Sequence, residues 1–364
     1  MKIRIITIHY GRNYGSALQA YALNRFFLDE GYDVKTIDYI PNEKTGLQLY
    51  MKLFSRKGKA YAMVRYILST PIRMFKDYSF VKFQKKYIIM TRKYKNFDEY
   101  TIKGDSNTVY ITGSDQVWNS DYNVKQDYSY YLDLKGSYLK KISYAASFGK
   151  EDIDDYEKEE IIGFLKNMDA ISVRDKASFK ILEKLGIKAK VVLDPTLLFD
   201  KEQWGNNLHL KEYKEKYILM YVIDGRYNEV LRVASEIMKE NNELKLYLVS
   251  FSEFRNNKID KQYVCASPKK FVELIYNAEF IVTNSFHGTI FAINFEKQFI
   301  AIKKERYNSR LQGLLEDLCL EDRFIKFDAN IEFPLENIDY VRVRKQLEFE
   351  RKKSRDFIKE SIRA

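Results

Sequence analysis

The sequence predicts an α/β protein made of two doubly wound, parallel-sheet halves that face a cleft. Three observations predict it. Apolar runs of strand length alternate with amphipathic stretches of helix length over most of the chain, the order a parallel sheet with crossover helices requires. Turns rich in Gly, Ser and Asn fall just after several of those runs, at the carboxyl ends of the strands, where open α/β sheets bind ligands. The 364 residues also exceed what one hydrophobic core usually serves, so the alternation is expected to divide at about residue 198.

In chain order, residues 3–9 read as the first strand, residues 11–16 as a flexible turn and residues 17–28 as an amphipathic helix. Strands are expected at 34–39, 108–112, 142–146, 170–173 and 190–193, with helices around 156–165 and 176–185. The second half, residues 199–335, begins its set after Trp204. Its strands are expected at 217–223, 245–249, 263–266, 280–282 and 299–302, and its helices at 229–240, 268–276, 289–295 and 309–318. Residues 336–364 are highly charged and read as a basic terminal helix, free to return to the first domain.

Composition removes several function classes. No run of about 18 uncharged apolar residues occurs, which excludes a conventional spanning helix. The N-terminus reads as a strand and not as a signal peptide, and Cys265 and Cys319 are too few for a disulfide framework, so they are expected as buried thiols in a reducing cytoplasm. The net charge of +11 is concentrated: residues 41–100 hold 14 Lys or Arg against four Asp or Glu. Within them, residues 57–68 and 72–80 alternate basic with bulky apolar side chains, a pattern suited to an anionic membrane surface or a lipid diphosphate. A solvated basic face explains the same pattern, and so does a nucleic-acid surface. No zinc-finger, RNA-binding or helix-turn-helix pattern supports the last, so a nucleic-acid partner is not expected, whereas peripheral contact with the inner face of a membrane is.

Three segments carry candidate chemistry. In the stretch from Ile281 to Ile293 a polar turn of Thr283, Asn284 and Ser285 separates an apolar strand from the apolar run after Gly288, which puts His287 near a helix N-terminus. Such a terminus attracts phosphate or carboxylate, and an imidazole beside it can bind the anion or pass it a proton. A buried histidine bonded to its own loop is the competing explanation. The first turn, with Gly11, Asn13, Gly15 and Ser16, lets backbone approach a ligand, with Ser16 as the expected helix cap; its spacing matches neither a dinucleotide fingerprint nor a phosphate-binding P-loop. After the strand at 108–112, Gly113, Ser114, Asp115, Gln116, Trp118 and Asn119 crowd one strand end. Asp115 can accept a hydroxyl proton and Trp118 can stack on a pyranose, or the two can serve a cap and the core.

Taken together, Gly11-Arg-Asn-Tyr-Gly-Ser-Ala-Leu-Gln-Ala20, Gly113-Ser-Asp-Gln-Val-Trp-Asn119, Ile171-Ser-Val-Arg-Asp175, Val192-Leu-Asp-Pro-Thr196 and Asn284-Ser-Phe-His-Gly288 resemble the polysaccharide pyruvyl transferases, in that family's order. The resemblance implies a two-domain GT-B-like fold and transfer of a pyruvyl ketal from phosphoenolpyruvate to a sugar diol, with release of phosphate. It implies a lipid-linked oligosaccharide or sugar acceptor and no cofactor. The family histidine maps onto His287; many members read Ser-x-Arg-x-His there, whereas this chain has Ser285 at the arginine's position. His287 is then the expected acid or phosphate stabiliser, Asp115 the base, and Arg174 and Arg310 either the anion clamps or members of ordinary surface or structural ion pairs, with Asp194 holding a loop or taking part in catalysis. His9 and His209 lack a ligand-spaced partner, and no carboxylate cluster calls for a metal. A nucleotide-sugar glycosyltransferase and a non-catalytic polysaccharide-binding protein are the competing classes.

Overall fold

The computed structural model describes residues 1–41, 44, 46–54, 57–94, 107–121, 128–134, 139–241, 243–304, 308–329 and 335–363. The chain divides into two compact units, Met1–Val192 with Phe357–Ala364, and Leu193–Asp356.

The first unit is built on five parallel strands, β1 (Lys2–Ile6), β2 (Asp33–Tyr39), β3 (Met90–Tyr94), β4 (Thr108–Thr112) and β5 (Lys140–Ser143), in the order β3-β2-β1-β4-β5. β4 is buried along its whole length, as a central parallel strand covered on both faces must be. Helix α1 (Tyr14–Asp29) follows β1 and is buried over most of its length; Asn24 bonds Thr36 and the Ile89 carbonyl, tying it to β2 and to the lead into β3. Two helices and one strand escaped the sequence reading: α2 (Gly46–Leu53), α3 (Lys59–Tyr87) and β3. The strand expected over 142–146 stops at Ser143, and Ala145 takes a φ of 52°, which breaks extended pairing. Beyond it, α4 (Asp155–Leu165), β6 (Ser172–Val173), α5 (Lys176–Lys184) and β7 (Lys190–Val191) follow, and β6 pairs in parallel with β7.

The second unit opens with a 3-10 turn at Pro195–Leu197 and α6 (Lys201–Leu208). Its six strands are β8 (Tyr217–Tyr221), β9 (Lys245–Ser250), β10 (Lys261–Val264), β11 (Phe280–Thr283), β12 (Gln298–Ile302) and β13 (Phe324–Ile325), all parallel in the order β10-β9-β8-β11-β12-β13. Helices α7 (Tyr227–Glu240), α8 (Pro268–Asn277), α9 (Phe286–Asn294) and α10 (Ser309–Asp317) connect them, and α11 (Tyr340–Arg363) ends the chain. Residues 193–199 belong with this unit through specific bonds. Asn294 Nδ2 donates to the carbonyls of Thr196 and Phe199, Arg351 Nε donates to that of Leu197, and Trp204, fully buried, donates its indole N–H to that of Thr196.

The fold is thus the expected α/β class, a parallel sheet in each unit. Among the described residues no helix is long and apolar enough to cross a membrane.

Candidate active site

In an open α/β sheet the ligand crevice lies beyond the strand carboxyl ends where the strand order reverses. In the first sheet that point lies between β1 and β4. β1 runs out through Thr7, His9 and Gly11 into α1, and β4 runs out into Gly113, Ser114 and Asp115. Gly11 has a φ of +83° and nothing within 4 Å of where a Cβ would sit, so its backbone faces open space. The cap of α1 is Asn13, whose side chain accepts from the N–H groups of Gly15 and Ser16. The expectation that Ser16 caps this helix is therefore wrong. Ser16 lies inside the first turn and its Oγ donates to Asp115 Oδ2 at 2.6 Å.

Asp115 gathers two further donors. Arg174 Nη2 is 2.9 Å from Oδ1, and the Gln116 N–H reaches the same oxygen at 2.9 Å. The Arg174 side chain is wholly buried and the Asp115 side chain nearly so. Arg174 comes from just beyond β6, so the expected base and one expected anion clamp are brought together as an ion pair.

The rest of the Gly113–Asn119 segment is structural. Trp118 does not present a face for a sugar: it is 3% exposed, stacks on Tyr131 at 5.5 Å, and donates its indole N–H to the Tyr130 carbonyl. Ser114 Oγ donates to the Ala145 carbonyl. Asn119 donates to Gln116 Oε1, and both side chains press on Gly149, where a Cβ would come within 2.6–2.7 Å of them. The buried side chains of Ser114, Trp118 and Asn119 thus have their polar atoms bonded to neighbours, while Gln116 is half-buried.

In the second sheet the order reverses between β8 and β11. Asn284, just past β11, bridges the reversal: its Oδ1 accepts from the Ile223 N–H at 3.0 Å and its amide donates to Asp224 Oδ1. Ser285 caps α9, its side chain accepting from the Gly288 N–H at 3.2 Å. Gly288 has no room for a side chain, because a Cβ there would meet Thr283 Oγ1 at 2.7 Å and Tyr221 Cδ1 at 3.0 Å. With the cap at Ser285, α9 starts three residues earlier than expected, and His287 lies in its first turn.

His287 is 8% exposed, and its Nε2 is buried without a hydrogen bond among the described residues. The Asp194 Oδ2 lies 3.8 Å from that nitrogen, while Asp194 Oδ1 accepts from the Thr196 N–H at 3.0 Å and hydroxyl at 2.7 Å. Asp194 therefore both holds its loop and faces the imidazole. Arg310 is close by: its guanidinium carbon lies 5.4 Å from the Phe286 ring centroid, and that ring meets the His287 ring edge-on at 5.2 Å.

Three residues missed in the sequence complete this edge. Arg226 forks onto Asp224 Oδ2 at 2.9 and 2.7 Å and donates to the Lys303 carbonyl, joining the ends of β8 and β12. Burial pushes the Asp224 carboxyl up, but the bonds from Arg226 and Asn284 outweigh it and hold the group below its usual range. Lys304 follows β12, its N–H and carbonyl clasped by Asn308. Burial, then the charge of Arg310, and to a lesser degree that of Arg226, push the Lys304 ammonium down to about 8 against the pull of Asp224. The signal was present in the sequence, since Lys303 and Lys304 end an apolar run just as Asn284 and Asp224 do.

The remaining histidines and cysteines lie elsewhere. His9 is buried between the Thr7 carbonyl and Asp38 Oδ1, each at 3.1 Å, and His209 ends α6. The cysteines are not the buried thiols expected: Cys319 is exposed and Cys265 half-buried.

Comparison with known proteins comes from two directions. The family described as polysaccharide pyruvyl transferase matches residues 13–303. No curated protein sequence matches significantly. Similar solved structures include the UDP-GlcNAc 2-epimerase of Methanocaldococcus jannaschii in complex with UDP-GlcNAc and UDP, at 12% identity and a TM-score of 0.46, over 96% of this chain and 92% of that one. The UDP-N-acetylglucosamine 2-epimerase of Rickettsia bellii has 12% identity and a TM-score of 0.46, over 100% and 97%. A TarM variant of S. aureus in complex with fondaparinux, alpha-GlcNAc-glycerol and UDP has 11% identity and a TM-score of 0.47, over 99% and 96%.

Proposed function

Because the chain belongs to the polysaccharide pyruvyl transferase family and is a transferase of polysaccharide biosynthesis, we propose that it moves the pyruvyl group of phosphoenolpyruvate onto two hydroxyls of a sugar as a cyclic ketal. The observation that carries the reading is His287: an imidazole in the first turn of a helix, facing a buried carboxylate at 3.8 Å, with a ring nitrogen that has no hydrogen bond among the described residues.

The chemistry asks for such a group. The methylene carbon of phosphoenolpyruvate gains a proton, one hydroxyl oxygen adds to C2, and the C2–O bond to phosphate breaks. The second hydroxyl oxygen then closes the ring, its proton leaving with phosphate or to solvent. Two O–H protons are released and one ends on the new methyl, so the balance closes with inorganic phosphate as the product. His287 carries the proton that the carbon gains, and the Asp194 carboxylate, 3.8 Å from its Nε2, orients the ring. The donor has a carboxylate and a phosphate, and Lys304 and Arg310 supply the positive charge to hold them. These two take over the clamping role of the arginine that this chain replaces with Ser285. Asp115 is reassigned from base to positioning residue: with Ser16, Gln116 and Arg174 on its two oxygens, it orients Arg174 and the start of α1.

The acceptor supplies both hydroxyl oxygens of the ketal. That acceptor is a lipid-linked or free intermediate of a cell-surface polysaccharide, met in the cytoplasm or at the inner face of the membrane.

The test is a donor screen on candidate oligosaccharide acceptors, read by product mass and by release of phosphate. Phosphoenolpyruvate is expected to give the ketal and inorganic phosphate. A hexose increment from a nucleotide sugar, with no phosphate from phosphoenolpyruvate, overturns the proposal in favour of a glycosyltransferase.

A further inference from the structure

Among the described residues, helix α3 holds half of the exposed large hydrophobic side chains. It runs 29 residues, yet only Ala62, Phe80 and Phe83 are buried. Its inner side is already occupied. Phe80 meets Tyr14 of α1 at 5.1 Å and Phe83 meets Tyr21 at 5.7 Å. Arg12 pairs with Asp77 at 3.1 Å, and Arg73 covers the rings of Tyr50 in α2 and Tyr66 at 5.5 and 5.3 Å.

What remains faces outward. Tyr61, Val64, Leu68, Ile72, Phe75 and Tyr78 recur at spacings of three and four, one continuous stripe on an α-helix, and all are exposed, Leu68 at 66%, Ile72 at 62% and Phe75 at 84%. Met74 and Ile67 flank the stripe and are exposed too. At its C-terminal end the same face continues into exposed Lys82, Lys85 and Lys86. An apolar stripe of this length on a soluble surface marks an interaction site.

We propose that α3 docks this chain on an anionic lipid bilayer, with the stripe from Tyr61 to Tyr78 entering the headgroup and acyl boundary and Lys82, Lys85 and Lys86 pairing with lipid phosphates. Charge selects this occupant over a second copy. The helix carries seven Lys or Arg against one Asp, so two copies face to face would bring like charges together, whereas an anionic surface neutralises them. The helix lies on the surface and does not span it, in keeping with its charge and with the lack of a spanning helix among the described residues. This rests on the proposed function only in its purpose, delivery of the enzyme to a lipid-linked acceptor.

The full chain is tested by co-sedimentation with phosphatidylcholine vesicles with and without phosphatidylglycerol, an assay that needs neither donor nor acceptor. Binding is expected only with the anionic lipid and is expected to weaken with salt, as screening shortens from about 10 Å at 0.1 M to about 3 Å at 1 M. Ile72→Ser with Phe75→Ser should lower partitioning at least about tenfold, with circular dichroism and transfer to a soluble acceptor unchanged. In a separate variant, Phe75→Trp should give a tryptophan emission that shifts to the blue on anionic vesicles. No binding at low salt overturns the proposal, and so does a double variant that binds like the parent. A parent that is dimeric, a variant that is monomeric and no vesicle binding by either would assign the stripe to a second copy. If vesicle binding fails while ketal transfer proceeds, the docking proposal alone falls; if ketal transfer fails while vesicle binding holds, the transferase reading alone falls.

Discussion

At the carboxyl edge of the first sheet three donors converge on the carboxylate of Asp115; at that of the second, a histidine nitrogen has a carboxylate 3.8 Å away and no hydrogen bond among the described residues. Both centres occupy the same topological position, the strand-order reversal of a parallel sheet. They spend their polar groups differently. In the first, Arg174 neutralises Asp115 and each defines the other's orientation, which suits a fixed scaffold. In the second, Arg226 satisfies Asp224, but burial first and then the charge of Arg310 depress the Lys304 ammonium. A bound anion relieves that repulsion. The lesson is that position in the fold nominates a site, and the balance of donors against acceptors separates a neutralised edge from one with positive charge to spare.

The comparison breaks first at His287. His287→Ala should leave the second sheet folded and lower turnover by about 10²–10⁴-fold, the usual contribution of a general acid or base. His287→Gln is the sharper variant, since it keeps a hydrogen bond and cannot carry a proton near neutrality. Steady-state ketal formation across pH 6–8 decides: near-normal turnover of the Gln variant means that His287 only anchors the donor, and the two edges are then alike.

The first edge should fail by unfolding and not by chemistry alone. Removing one partner of a buried ion pair leaves the other uncompensated, at about 3–5 kcal/mol, so Arg174→Met is expected to destabilise the first unit by an amount of that order. The two tryptophans allow the units to be read apart, because Trp118 lies in the first core and Trp204 in the second. Urea unfolding of Arg174→Met in a Trp204→Phe background, followed by Trp118 fluorescence, measures the loss. Pairing it with Asp115→Asn should cost less than the two changes summed. A strictly additive pair would mean that the buried contact does not couple them.

Much of this was legible because strand runs and turns are local. The strand at 108–112 was read to the residue, and the helix at 156–165 to within one residue. The place of His287 at a helix start was legible as well, since a polar turn separates two apolar runs there. What was lost depends on long-range packing. Trp118 looked like a sugar platform because a strand end is a ligand edge, but Tyr131 and Phe148, distant in sequence, close over it. Ser16 looked like a cap until Asn13 took that role and Asp115, 99 residues away, took the hydroxyl. Helix α3 escaped because apolar residues off its stripe and the basic ones between them mask the period, and because Pro71 argues against a continuing helix. Its regularity emerges only once α1 and α2 show which face is inward.

The smallest expected effect sharpens the comparison most, because it tests whether the surplus charge at the second edge has a use. Lys304 is held at about 8 in the folded chain, below its ordinary 10.5. Between those values the unfolded chain binds more protons than the folded one, so this group makes stability rise with pH across that window. An anion bound beside Lys304 acts in the opposite sense. It favours the ammonium, so the complex holds a proton that the free protein has lost, and affinity falls as pH climbs through about 8. Sulfate is the suitable probe, since its own charge stays constant there. Titration calorimetry should give tighter sulfate binding at pH 7 than at pH 9 for the parent chain. Lys304→Gln should bind at least about tenfold more weakly at pH 7, in line with the roughly 1.5–3 kcal/mol of a hydrogen bond to a charged group, and should lose most of the pH dependence. Equal affinity at both pH values in the parent would mean that Lys304 does not face the anion, leaving Arg310 as the clamp and reducing the contrast between the two edges to His287 alone.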